Sequence, residues 1–529
     1  MIPISQLHLG QLDAENYKRR ENKELFNRLF VRTSALDALC EPGTFFLIGE
    51  KGAGKTAYAV YLENNSYMNI SASLRYIRET DYAKFVELKR ARHLTLSDYT
   101  NIWKVIIYLL LAEMISSSED KAVWSKFLRF HNLKEAIDHY YKKAFAPEIA
   151  YAIKFAEESE VAASLLAQYA NVGTTHKEIS TFTQNQFQTN LFYIQRQLED
   201  ALRSVKLRQS PVLFIDGIDI RPGTIPYEEY LDCIKGLANA VWGANNDFFS
   251  TIKGSQGRLR VVLLVRPDIF ASLGLQNQNS KLRDNSIDLN WLTTYTEYRA
   301  SPLFQMADRL LAFQQAEQLP YGETWDHYFP FDAPDVTSEQ GKPSSFISFL
   351  RYSLYRPRDI LAMLAILKEN FIDQHRPADG VFKVGDFNDP MFTRKYTDYL
   401  LGEVRDHLSF YYPAQDWDKF LKFFQFLDGQ WAFSYPEYIA AYAKFLEFLK
   451  RNSEAMPAFA ATADSFLQFL FDLGVLCYIT ESENQRFFGW CFRERTATNI
   501  APRVRSGVDY QIHFGLRKAL DLGQRFRRR

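Results

Sequence analysis

One run of eight residues, Gly49-Glu50-Lys51-Gly52-Ala53-Gly54-Lys55-Thr56, limits what this chain can fold into more than any other stretch. Its spacing is GxxxxGK[ST], the pattern of a phosphate-binding loop set between a buried strand and a helix. The apolar run Thr44-Phe45-Phe46-Leu47-Ile48 leads into it, and Lys55 to Asn64 has the pattern of a helix. Glycines let the backbone curl so that successive N–H groups converge on phosphate oxygens, and the following helix adds its positive N-terminus. Lys55 would neutralise β- and γ-phosphates, and the Thr56 hydroxyl would ligate Mg²⁺. Gly49 to Gly54, with Tyr58 in the first helical turn, complete the expected binding set. The expected ligands are therefore ATP and Mg²⁺, although nothing in the sequence separates ATP from GTP.

Three later segments suit the same chemistry. Val212-Leu213-Phe214-Ile215-Asp216 is an apolar run ending in an acid, and at the tip of a buried strand Asp216 would hold the magnesium shell. Asp219, three residues on, would orient and deprotonate an attacking water. An ordinary Asp-Gly turn with a solvated acid beyond it is the bland alternative. Val261-Val262-Leu263-Leu264-Val265-Arg266-Pro267 closes another strand on an arginine whose planar fork suits a γ-phosphate, or that merely caps the strand. Arg356 and Arg358 stand just ahead of a helix, from which they would reach a nucleotide; pairing with Asp359 explains them nearly as well.

At 529 residues the chain is long enough for several domains, and 63 basic residues balance 63 acidic ones, so charge demands neither nucleic acid nor a membrane surface. Aromatics make up 15% and recur at helical spacing, which implies helix packing on aromatic cores. Four scattered cysteines without a CxxC pair fit a reducing cytoplasm. The N-terminus lacks a secretory pattern, and the longest apolar stretch, Val105 to Ala112, is too short to span a bilayer. The expected organisation is an N-terminal extension over 1–40, with an amphipathic helix through Lys23 to Leu36, and an α/β core over 41–300 with a parallel sheet. A helical insertion over about 81–205 carries the stripe Phe187 to Leu202, a helical lid covers 301–375, and a linker runs from His375 to Asp389. Residues 390–529 form the last domain, with a hairpin of Val475 to Ile479 and Arg486 to Phe492.

Taken together, GEKGAGKT, a strand ending Asp-Gly-Ile-Asp, a later strand ending Arg-Pro and a C-terminal hairpin region resemble the STAND class of P-loop ATPases, NACHT-like members especially. Leu9-Gly10 with Asp13-Ala14-Glu15-Asn16 resembles a related bacterial P-loop ATPase family associated with phage defence. The resemblance covers residues 1–300 well and the rest loosely. It implies a P-loop NTPase fold, Asp216 as the magnesium acid, Asp219 as the second acid of the motif and Arg266 as a phosphate sensor. It further implies a winged-helix-like domain within 415–520, where His513 would touch a bound β-phosphate. Phe514 stands where the usual following acid is missing, and a core histidine is the alternative. The function so implied is an ATP-hydrolysing switch that controls self-assembly or a separate effector, in antiviral defence. A DNA-binding loader or motor using the winged helix and the Arg525–Arg529 tail is the rival from another class. The spacing of Asp81 with Glu87-Leu88-Lys89 superficially suits a nuclease but lies in a charged helical stretch.

Overall fold

The computed structural model describes residues 1–77, 96–118, 198–221, 225–336, 341–482, 485–496 and 499–523, with Gln195, Arg196 and Gly223 besides. They divide into a sheet unit, Ser34–Ile48 and Lys55–Asp288, and a helical unit, Met1–Thr33, Gly49–Gly54 and Leu289–Arg529.

The sheet unit is α/β. Its strands are β1 (Phe46–Ile48), β2 (Ile70–Tyr76), β3 (Ser210–Asp216), β4 (Arg260–Val265) and β5 (Ser286–Asp288). They form one sheet in the order β2-β3-β4-β1-β5, and every pairing is parallel. The central strands β1, β3 and β4 are almost entirely buried, which is why they read as continuous apolar runs. The outer strands gave no such signal. β2 carries Ser71, Ala72 and Ser73 and is only partly buried, and β5 has three residues.

Helix Leu96–Ser118 is apolar on most sides and is covered accordingly: Ile102, Trp103, Ile106, Ile107 and Leu111 are each at most 1% exposed. It packs against helix Tyr227–Gly243 and on β3, and the Trp103 indole donates to the Cys233 carbonyl at 3.2 Å. Residues 96–118, within the expected helical insertion, thus help to cover the sheet. The rest of the expected insertion, with Asp81, Glu87-Leu88-Lys89 and Phe187, lies outside the described residues, as does the Arg525–Arg529 tail.

In the helical unit the first residues are structural. Ile4 and Leu7 are buried, the Ile2 amide donates to Gln315 Oε1 at 2.9 Å, and the Tyr328 hydroxyl donates to the Ile2 carbonyl at 2.6 Å. The helix expected over Lys23 to Leu36 is instead two, Arg20–Leu29 and Ser34–Cys40, and the boundary between the units falls in the break. The aromatic packing is extensive. Trp325 stacks on Phe329 at 4.3 Å, and Phe329 stacks on Phe382 at 4.7 Å. Phe382 and Phe387 are 2% and 3% exposed, so the segment expected to be a linker is pinned into this core by its own rings.

Towards the C-terminus the order is helix Asp416–Phe424, β6 (Ala432–Ser434), helix Tyr435–Arg451, helix Ala463–Asp472, β7 (Leu476–Ser482), β8 (Gln485–Gly489) and β9 (Asp509–Ile512). These strands make an antiparallel sheet in the order β6-β9-β7-β8. The hairpin is present, but its second strand stops at Gly489 and Cys491–Glu494 turns helical. All four cysteines are free thiols, and among the described residues no helix is long and apolar enough to cross a membrane.

Helix Tyr227–Gly243 meets its neighbour closely at Gly236, where an added Cβ would stand 2.5 Å from Tyr99 Cβ. Gly236→Ala should therefore cost about 1–3 kcal/mol by overpacking. Thermal unfolding checks this: the melting temperature should drop by several degrees, and an unchanged one would exclude this helix contact.

Candidate functional site

A parallel sheet delivers the C-terminal ends of its strands to one edge. Here Ile48 stands opposite both Val265 and Asp288, and Tyr76 opposite Asp216. Gly49, Asp216 and Arg266 accordingly all follow from or close strands on that edge. The sheet order also reverses there, since the chain leaves central β1 for edge strand β2 and later returns past β1 to β5. Such a switch point is where α/β sheets open a crevice.

Between β1 and helix Lys55–Asn64 runs the glycine loop. Gly52 and Gly54 have φ of +84° and +93°, conformations that a side chain strains, and the Ala53 amide closes a turn on the Glu50 carbonyl at 3.0 Å. In the sheet unit, Thr56 Oγ1 donates to Asp216 Oδ2 at 2.6 Å, and the Gly217 amide donates to Asp216 Oδ1 at 2.7 Å. Lys55 and Asp216 are each 7% exposed. Burial, and next the charge of Asp219, raise the pKa of Asp216 above its ordinary value; the Thr56 hydroxyl, Lys55 and the Gly217 amide oppose the rise. Asp219 is half-buried. A hydroxyl and a carboxylate in contact are hard oxygen donors suited to Mg²⁺, which keeps waters and substrate phosphates as its other ligands and needs few protein groups.

Arg266 is 1% exposed, and its guanidinium grips the Asp268 carboxylate fork to fork, with Nε donating to Oδ1 at 3.0 Å. Tyr58 lies in the buried face of its helix at 2% exposure. Sequence order therefore brings Lys55, Thr56, Asp216 and Asp219 together, while the Arg266 fork is directed to its own helix start.

The helical unit holds the loop itself. Arg356 Nη1 donates to the Lys51 carbonyl at 2.9 Å, and the Arg358 amide donates to the Gly52 carbonyl at 3.4 Å. Lys51 Nζ donates to Asp406 at 2.6 Å, Arg495 pairs with Glu50, and the Trp291 indole donates to the Ala53 carbonyl at 2.8 Å. Arg356 is fixed in turn by Asp359, through 2.9 Å and 2.6 Å bonds, and the Tyr399 hydroxyl donates to Asp359 at 3.0 Å. Burial works against the Arg356 charge, yet Asp359 and then Tyr399 and Glu403 hold its pKa well above the ordinary value. Arg356 and Arg358 thus bind loop backbone. Of these partners, Asp359 was legible in Arg-Pro-Arg-Asp; Trp291, Glu403, Asp406 and Arg495 had no local signal, because they come from distant stretches of chain.

His513 is 2% exposed with both ring nitrogens engaged. Nδ1 accepts from the Gly515 amide at 3.2 Å, which leaves the proton on Nε2, 3.1 Å from the Ser353 carbonyl. It is a neutral histidine bridging two backbone segments, with no nitrogen left over for a phosphate in this arrangement. Burial drives its pKa down to about 4, the Ser353 carbonyl opposing.

Compared with protein-family models, with curated proteins and with solved structures, the chain matches none of them.

The His513 shift makes stability pH-dependent. Its folded pKa is depressed, so the unfolded chain takes the proton first. The stabilisation is complete above the unfolded value near 6.5 and is lost as pH falls from there towards 4, by as much as ~3 kcal/mol. Wild type should lose more stability than His513→Gln between pH 7 and pH 4.5 in denaturant titrations. Parallel losses would remove His513 as the cause.

Proposed function

We propose that this chain is a P-loop ATPase of the STAND-like kind, a switch set by nucleotide state, with a winged-helix-like C-terminal region. The observation that carries the reading is the Thr56–Asp216 hydrogen bond: the last residue of the GxxxxGKT loop touches the acid that ends the apolar β3, at the C-terminal edge of a parallel sheet. Nothing in chain order requires that contact, because 160 positions separate the two residues. The helix–strand–helix–helix–strand–strand order from Asp416 to Gly489 supports the winged-helix part.

In this reading the loop amides and Lys55 bind and orient the phosphates of ATP. Thr56 and Asp216 would hold Mg²⁺, which supplies charge neutralisation at the transferred phosphoryl group. Asp219 sits close enough to Asp216 to raise its pKa, which suits a carboxylate that orients water and takes its proton. Burial and the charge of Asp219 raise the pKa of Asp216, and a bound cation would oppose that rise by favouring the carboxylate. Loop occupancy would act on Glu50, Lys51, Gly52 and Ala53, which bond within the same unit to Arg495, Asp406, Arg356, the Arg358 amide and Trp291 from distant stretches of chain, and this supports a switch over simple turnover. The expected partners are further copies of the chain or a separate effector.

Asp219→Ala should bind ATP within about threefold of wild type and hydrolyse it ~10²–10⁴-fold more slowly. Phosphate release together with equilibrium binding checks both halves. Light scattering of the ATP-loaded variant should show a persistent assembly; wild-type turnover in the variant would remove Asp219 from the mechanism.

A further inference from the structure

We propose that Lys51, Arg356 and Arg358 form a phosphate-binding nest, which Glu403 occupies as an internal counter-anion. Glu403 projects from helix Pro390–Tyr411 among three cations. Its Oε1 lies 3.5 Å from Lys51 Nζ, and its Oε2 lies 3.6 Å from Arg356 Nη1 and 3.7 Å from Arg358 Nη1. All three exceed the 2.7–2.9 Å of a charge-assisted hydrogen bond, and Oε2 is buried without a hydrogen-bond partner. The cause is visible in the other bonds. Lys51 is drawn to Asp406, Arg356 to Asp359 and the Lys51 carbonyl, and Arg358 Nε to the Leu12 carbonyl at 3.2 Å.

The cations are spread too widely for one carboxylate. A phosphate group has more oxygens, a wider span and up to twice the charge, so it can meet diverging donors that a carboxylate only approaches. A cationic ligand for the orphaned oxygen is disfavoured by the same three charges. A partly open cleft lined by Lys51, Arg356, Glu403, His407, Asp472 and Phe492 gives access from solvent. The neighbouring acids already have partners, Glu50 in Arg495 and Asp472 in Gln468 Nε2 at 2.7 Å. The phosphate is either free or the terminal group of a nucleotide. In the second case alone, the inference rests on the ATPase reading.

Calorimetric titration of the full-length protein with inorganic phosphate tests the nest. Glu403→Gln should bind phosphate about tenfold more tightly than wild type, Arg358→Gln should remove that gain, and Lys55→Ala should not. In an otherwise wild-type chain, Arg358→Gln should weaken phosphate binding, which keeps the test sharp should Glu403→Gln misfold. Titration with ATP and AMP then separates the sources. If Glu403→Gln tightens ATP but not AMP, the nest takes the nucleotide's phosphate; an unchanged ATP affinity beside tighter inorganic phosphate assigns it to a free anion. A wild type that binds phosphate but no ATP would end the ATPase reading and leave the nest standing. Equal phosphate affinity in wild type and Glu403→Gln, or a gain abolished by Lys55→Ala, overturns the proposal.

Discussion

All-parallel pairing in the five-stranded sheet is the constraint on which the rest of this structure depends. Parallel strands require crossovers that return the chain to the same starting edge, so each strand releases its next residue at the opposite one. That geometry alone carries Gly49, Asp216 and Arg266 to a common edge from three separate segments of the chain. It also requires apolar cover on both faces, which helices such as Leu96–Ser118 and Tyr227–Gly243 help to supply. The Thr56–Asp216 contact follows once the loop and β3 end on that edge.

Two helix starts share one local device. Arg266-Pro267-Asp268 and Arg356-Pro357-Arg358-Asp359 each place arginine at the N-cap and proline at the first helical position, with an aspartate in the first turn gripping the arginine fork to fork. Proline there costs no hydrogen bond, and the carboxylate suits the positive helix end. An arginine so fixed is rigid and buried, which makes it a good anchor for backbone. Arg356 serves as one for the Lys51 carbonyl. The glycine loop thus has its conformation set both by glycine and by side chains contributed from far along the chain.

Much of the sheet unit was legible because its signals are local. The glycine loop has a fixed spacing, and β1, β3 and β4 are buried runs whose ends carry distinctive residues. β2 and β5 were not legible, since an edge strand rich in serine and a three-residue strand carry too little apolar pattern. Composition and packing disagree in two segments. His375 to Asp389 has a linker's proline, glycine and aspartate, yet Phe382 and Phe387 bury it; residues 1–40 read as an N-terminal extension, and within them Ile4 and Leu7 are buried. In the candidate site, the residues of the motif and of β3 were readable. The clamp of Glu403, Asp406, Arg495 and Trp291 was not, because charge pairs between distant segments leave no trace at either position alone.

The central claim is that the loop from Gly49 to Thr56 binds nucleoside triphosphate with magnesium. Equilibrium binding of ATP to wild type and to Lys55→Ala, each with and without Mg²⁺, tests it most directly. Wild type should bind, more tightly with Mg²⁺ than without, and Lys55→Ala should lose roughly 10–100-fold in affinity, the worth of one charge-assisted contact to phosphate. No ATP binding by folded wild type, or equal binding by both proteins, would contradict the account.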